Sequence, residues 1–518
     1  MVRTTPLKIS LLAVLAAAGL VAGGCGSKKK AAAETTTAVS SATNVVQNET
    51  PTGEVTTVAA YGDTFTLEQA GGKPAPYQHF VSRPDLKPTV VKIVHPASSD
   101  VAPGYVFAGP KKDVAQEGPM IFDNEGNVVW FKNANLGVAD VRVQKYQGKP
   151  VLTWWEGTAF FGHGSGHFVI LDDHYRLVKV VHGGNGFDAD EHESLITPQD
   201  TMLMIVYGSR AMDLTSIGGP KNGHVSDNLA QEVDIKTGKV LWQWSAADNI
   251  ALSETYAPHK FTKSDFDFFH MNALDLDKDG NILMSARNTW GIYKINKKTG
   301  KIMWRLGGKK SDFKMGKGTN FEWQHDIRRQ PDGTLTLFDN GAAPPVEKRT
   351  RVLKLKVDED KMTATLERAW SHPGILAGSQ GDAQFLKNGN LFVGWGAVPQ
   401  FTEYSPTGQI IFDGKFDKNQ DNYRAYRAEW TGHPDDHPTA VAKDGKVYVS
   451  WNGATEVRSW RLLTGKANDD MLAGTKVPKV GFEAAIPLPS NGARFTAVQA
   501  LDSSGEVIGT SNTLELPG

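Results

Sequence analysis

The sequence predicts an all-β fold: a six-bladed β-propeller with a small N-terminal β domain and a C-terminal β-sandwich. Three observations carry this expectation. A hairpin motif, in which an apolar strand passes through an acidic or Gly-containing turn into a second strand, recurs from residues 122, 171, 233, 295, 357 and 404. A second hairpin is interleaved with it at 193–207, 271–287, 326–340 and 383–396. The 53 glycines and 26 prolines in 518 residues break the chain too often for long helices. Two hairpins make a four-stranded unit, and six such units in order suit radial repetition, in which each sheet buries both faces against its neighbours.

Taken in chain order, residues 1–24 read as an export signal. Arg3 and Lys8 precede an apolar run from Ile9 to Val21, and Ala22-Gly23-Gly24-Cys25 follows. The run is too short to span a membrane comfortably. The only cysteine stands where a bacterial lipoprotein is cut and acylated, so the segment resembles a lipobox, with Ala22 in place of the usual leucine. A lipid anchor on Cys25 and an extracytoplasmic, membrane-tethered protein are therefore expected; a plain signal peptide ahead of a chance cysteine is the alternative. Residues 25–58, rich in Lys, Ala, Thr and Ser without apolar period, form a tether. Residues 59–115, with Val90-Val91-Lys92-Ile93-Val94, are assigned to the N-terminal β domain, and 116–435 to the propeller. In 436–518 the runs 445–453, 456–460 and 495–501 read as strands of a sandwich resembling fibronectin type III.

Composition narrows the function. A charged fraction of 22% with formal net charge −1 argues against a nucleic-acid partner. Hydrophobic residues at 40%, including 13 Trp, 23 Phe and 12 Tyr, supply a large core. One cysteine excludes intrachain disulfides and multi-thiolate metal sites. There is no Gly-x-x-x-x-Gly-Lys-[Ser/Thr] loop for a nucleotide donor and no Gly-x-Ser-x-Gly elbow. Asp275-Leu276-Asp277-Lys278-Asp279-Gly280 copies half of a calcium loop, but Ala286 stands where a bidentate glutamate belongs, and a hairpin turn explains the same residues. No metal and no cofactor are expected.

Candidate chemistry lies where the innermost strands of a propeller start, at one mouth of the central channel. At matching places before the second hairpins stand His192, His270 and His325, so three units deliver an imidazole to nearly one height. Any one alone would suit a strand cap; three in register, with Arg287 added, suit a site. His192 fits least well, because Glu191 and Glu193 flank it. Most other histidines, including His95, His163, His167 and His433, are read as loop residues. Trp154, Trp155, Tyr207, Trp290, Trp323 and Trp395 could wall an aromatic pocket, although most are expected to pack between blades.

Several stretches resemble the bacterial arylsulfate sulfotransferases, in particular their actinobacterial-type branch. These are Tyr77–Pro88, Ala102–Phe107 and Trp154-Trp155-Glu156-Gly157, then His270-Met271-Asn272, Ser285-Ala286-Arg287-Asn288 and Trp323-Gln324-His325-Asp326, and finally 423–427 and 450–455. The resemblance implies transfer of a sulfuryl group from a phenolic sulfate donor to a phenolic acceptor without a nucleotide. It implies that His325 becomes sulfated while His192, His270, Asn272 and Arg287 bind or protonate around it. Two other readings remain: a quinoprotein-like oxidoreductase, because Thr237–Trp242 and Thr299–Trp304 resemble tryptophan-docking repeats, and a non-catalytic surface scaffold.

Overall fold

Local chemistry makes the hairpins. Asp234 accepts the backbone N–H and the hydroxyl of Thr237, both at 2.7 Å, and Asn296 does the same for Thr299 at 2.9 and 3.0 Å. The glycine after each threonine has a φ of 72° or 71°, a left-handed backbone that disfavours a side chain. The chain therefore reverses, pairing Gly223–Asp234 with Val240–Ser245 and Gly291–Ile295 with Ile302–Gly307.

The structure, a computed structural model, describes residues 76–517 apart from 161, 260, 262 and 263. The expected export signal, Cys25, the tether and the start of the N-terminal domain lie outside the described residues. The fold is all-β; the helices among the described residues are Ala246–Asn249 and three short 3-10 turns. No helix there is long and apolar enough to cross a membrane.

Six of the sheets follow one another along the chain as antiparallel meanders. The first joins Tyr105–Ala108, Met120–Phe122 and Val128–Phe131 to Tyr426–Ala428, which returns from the far end of the chain and pairs with Tyr105–Ala108. The second runs from Gly137–Tyr146 to Leu177–His182, the third from Ser194–Ile196 to Val240–Ser245, and the fourth from Met271–Leu276 to Ile302–Gly307. The fifth runs from His325–Arg329 to Thr363–Trp370 and the sixth from Asp382–Phe385 to Ile410–Lys415. Both recurring hairpins of the sequence fall on strand pairs of these sheets.

Consecutive sheets share cores. Phe107 and Ile121 of the first meet Leu152 and Trp154 of the second; Trp155 and Phe168 meet Met202 and Met204 of the third. Leu203 and Ile205 pack on Met271 and Met284 of the fourth, and Leu283 and Ile292 on Leu337 and Leu353 of the fifth. Phe338 and Val352 then meet Val393 and Trp395 of the sixth, whose Phe392 and Phe412 pack back on Val106 and Phe122 of the first. Fully burying one such side chain stabilises by about 1.5 to 3 kcal/mol.

Where the sequence reading assigns 59–115 to a domain of its own, the described part joins the neighbouring sheets. Lys92–His95 pairs with Ile410–Lys415 at the edge of the sixth sheet, and Tyr105–Ala108 lies inside the first. Two four-residue strands cannot cover a core alone, and Val91 is buried in the one between the sixth and first sheets. At the other end, a three-stranded sheet led by Thr439–Lys443 and a second sheet built on Ser459–Ala467 and Phe495–Leu501 enclose Val447, Val449, Trp460, Ile486 and Val498. Glu483 of this region accepts the backbone N–H groups of Val81 and Ser82 at 3.1 and 2.5 Å.

Candidate active site

His192, His270 and His325 occupy equivalent places. His192 stands two residues before Ser194–Ile196, His270 one before Met271–Leu276, and His325 opens His325–Arg329, so each lies at the start of the first strand of the third, fourth or fifth sheet. All three are buried. Asp190 accepts the backbone N–H of His192 at 3.0 Å and pairs with its Nδ1 at 2.5 Å. Asp267 repeats this on His270, at 3.0 and 2.5 Å. His325 Nδ1 lies 2.7 Å from Asn340 Oδ1. The Asn340 amide is oriented by its Nδ2, which donates to the carbonyls of Ala377 and Gln380. An amide oxygen can only accept, so Nδ1 of His325 carries the proton and Nε2 keeps its lone pair. That lone pair accepts the backbone N–H of Gln380 at 3.2 Å.

The His192 and His270 rings lie 5.1 Å apart, edge to face. Tyr423 meets His192 edge-on at 5.4 Å, and Tyr207 lies 6.2 Å from both histidines. Their electrostatic settings differ. Burial and the neighbouring Arg287 and His192 push His325 well below the usual histidine range. Burial also lowers His270, outweighing Asp267. For His192 burial acts in the same sense, but the Asp190 carboxylate outweighs it and the net shift is upward. One buried imidazole is thus held neutral near another that is disposed to keep its proton.

Arg287 follows Ile282–Ala286, and its backbone N–H donates to the carbonyl of His270 at 2.9 Å. Its guanidinium meets neutral oxygens, Asn288 Oδ1 at 3.2 Å and the Gly378 carbonyl at 3.2 Å, and lies 4.8 Å over Trp323. Burial lowers its pKa, and its charge is felt at His270 and His325. Asn272 does not follow from strand alternation with His270, because His270 has φ 56° and a bulge falls between Met271 and Ala273. Instead Asn272 Nδ2 donates to the carbonyl of Gln324 at 2.7 Å, fixing the backbone just ahead of His325.

The concern over negative charge beside His192 is answered by pairing. Glu191 meets Lys111 at 2.9 Å. Glu193 lies 2.7 Å from both Arg142 and Arg328 and 3.3 Å from Arg424. Burial alone would raise Glu193, and the three guanidiniums outweigh it and hold it ionised. Asp140 and Asp326 pair with the same arginines, while burial and the Asp326 charge push Asp382 well above the usual carboxylate range. The carboxylates of the half calcium loop are likewise engaged: Lys294 lies 3.0 Å from Asp277 and 2.8 Å from Asp279, and Arg329 lies 2.8 Å from Asp277. No group of His, Cys, Asp or Glu among the described residues is arranged to hold a metal ion.

Of the candidate aromatics, Trp154, Trp155 and Trp395 are buried in cores between sheets. Tyr207 borders the histidines, and Trp290 meets Trp323, the ring beneath Arg287, at 5.2 Å. His163, expected in a loop, opens the strand His163–Leu171 and stacks on Tyr207 at 4.7 Å. His95 and His167 also lie in strands. Sequence reasoning passed over Asp190, Asp267, Asn340 and Tyr423. The two aspartates do carry a signal, standing two and three residues before their histidines; Asn340 and Tyr423 reach the site only through tertiary packing.

A family model described as arylsulfotransferase (ASST) matches residues 142–417. No curated protein matches the chain. Among solved structures, a protein of unknown function from Bacteroides caccae is 13% identical with a TM-score of 0.40, over 62% of this chain and 98% of that one. The β-propeller domain of Myceliophteria thermophila Cps50 (Swd1) is 13% identical with a TM-score of 0.32, over 61% of this chain and 95% of that one. Virginiamycin B lyase from Staphylococcus aureus is 10% identical with a TM-score of 0.24, over 63% and 84%. Similarities this distant carry no argument about activity.

Proposed function

The chain belongs to the arylsulfotransferase family, and from that premise we propose that it moves a sulfuryl group from a phenolic sulfate ester to a phenolic acceptor by way of His325. The observation that carries the reading is the protonation pattern: a neutral His325 with its lone pair on Nε2, near a His192 that favours its proton. In the first half-reaction Nε2 leaves the Gln380 N–H and attacks sulfur. The S–N bond forms as the S–O bond to the phenol breaks, and His192 gives its proton to the departing phenolate. Arg287, which has no carboxylate partner among the described residues, takes the sulfonate oxygens. In the second half-reaction the acceptor phenol returns a proton to His192 and attacks sulfur, and the S–N bond breaks. His270, lowered by burial, stands edge to face with His192 as a hydrogen-bonding group. Asn272 holds the strand that carries His325. Such transfer has a loose transition state, so positioning and charge complementarity supply most of the catalysis.

Three further readings belong to this proposal. The six consecutive sheets, with the sixth packed on the first, support a six-bladed propeller. The three- and five-stranded sheets at the C-terminal end support a fibronectin-like sandwich. A lipid on Cys25, placing the enzyme outside the cytoplasm, rests on the signal-like sequence alone; radiolabelled fatty acid incorporated into the wild type and lost in Cys25→Ser tests it.

The enzyme is tested with p-nitrophenyl sulfate and phenol. Nitrophenol release that depends on the acceptor, abolished in His325→Ala, is the expected result, together with a sulfuryl mass gain on the peptide holding residue 325 when acceptor is withheld. Release unaffected by His325→Ala would overturn the reading.

A further inference from the structure

Residues 423–425 arrive from the C-terminal end of the body, far in sequence from any of the three histidines, and yet reach all three strands that bear them. Arg424 is fully buried. Its Nη1 lies 3.2 Å from Asp140 and 3.3 Å from Glu193, and its Nη2 donates to the carbonyl of Asn272 at 3.2 Å. Nη2 also lies 3.4 Å from the second oxygen of Glu193 and 3.8 Å from Asp326. Glu193, Asn272 and Asp326 stand one residue after His192, two after His270 and one after His325, respectively. Tyr423 adds a bond from its hydroxyl to the His192 carbonyl at 3.1 Å, and Ala425 donates to Asp382 at 3.0 Å. A planar guanidinium offers several donors in fixed directions, which lets one side chain fix the spacing of several strands at once.

We infer that Arg424 is a positioning residue of the active site, setting the relative placement of His192, His270 and His325 from beneath without itself meeting substrate. The inference rests on the sulfuryl-transfer reading for its catalytic meaning. It has a physical consequence that does not depend on that reading. His192 is faced by Asp190, Glu191, Tyr207, His270, His325, Tyr423 and Arg424, and the Arg424 charge disfavours its imidazolium. Removing the guanidinium must therefore move the His192 titration to higher pH.

The test compares the full-length wild type with Arg424→Met and Arg424→Lys, using p-nitrophenyl sulfate and phenol for kinetics and NMR for the imidazole titrations. The expected result in Arg424→Met is a loss in kcat of about 10²-fold with KM changed far less, because misplacement by an ångström is enough for such a loss. Arg424→Lys recovers part of kcat, and the His192 titration in Arg424→Met moves upward. Unchanged kcat, a loss confined to KM, or an unmoved His192 titration would overturn the inference. An inactive wild type would instead overturn the sulfuryl-transfer reading, and the titration would still decide whether Arg424 governs His192. Because a lone deletion strands Glu193 in the interior, the charge-balanced pair Arg424→Met with Glu193→Gln, read against Glu193→Gln alone, serves where the single variant does not fold: a further loss in kcat and a further upward move of the His192 titration are expected, and the absence of either would overturn the inference.

Discussion

Two carboxylates, Asp190 and Asp267, make the same pair of contacts to their histidines, and the proton equilibria still diverge. The difference is the company each ring keeps: His270 also feels Arg287, whereas at His192 the carboxylate outweighs burial. If His192 must be protonated to release the phenol, activity falls as pH rises through its raised pKa. If His325 must be neutral, the acidic limb lies well below the ordinary value of about 6.5. Asp190→Asn removes the group that raises His192, so the alkaline limb of a kcat-against-pH profile should move to lower pH, with kcat down on the order of 10²-fold at neutral pH. Sequence periodicity made the three histidines and Arg287 legible, since each belongs to a repeating hairpin. It could not show that Asn340 settles which nitrogen of His325 carries the proton, because that contact depends on tertiary packing between separate strands.

Turn chemistry accounts for much of what individual hairpins do, and it is local enough to read directly. The Asn296-x-x-Thr299-Gly300 turn needs its glycine in the left-handed region, with little around it to clash. Gly300→Ala should therefore lower stability by roughly 1 kcal/mol, from backbone conformation alone, measurable by chemical denaturation. The acidic hairpin at 275–280 shows the limit of such reading. Its turn was legible, but its counter-ions were not, because Lys294 and Arg329 come from other strands. With the ammonium buried among Asp277, Asp279 and Glu359, Lys294→Met leaves Asp279 without its cation while Asp277 and Glu359 keep Arg329, and should destabilise the fold by about 1 kcal/mol, seen as a drop in denaturant midpoint.

The body as a whole depends on a pairing between residues more than 300 positions apart, Tyr105–Ala108 with Tyr426–Ala428. A chain ending at residue 420 loses that strand and Arg424 together, and should melt at a lower temperature and over a broader range than the full chain when followed by circular dichroism. The described strands between 92 and 108 illustrate the same point: a strand that completes a distant sheet looks, in sequence, like the start of something separate. Hairpin registers are set by neighbours, whereas closure is set by whatever edge is left open when the last sheet arrives. This ordering also has a meaning in time. During synthesis all three histidines emerge well before the segment that pairs with the first sheet, so on the proposed function a nascent chain can carry all three and still be no catalyst. Activity would be switched on by the arrival of residues 423–428.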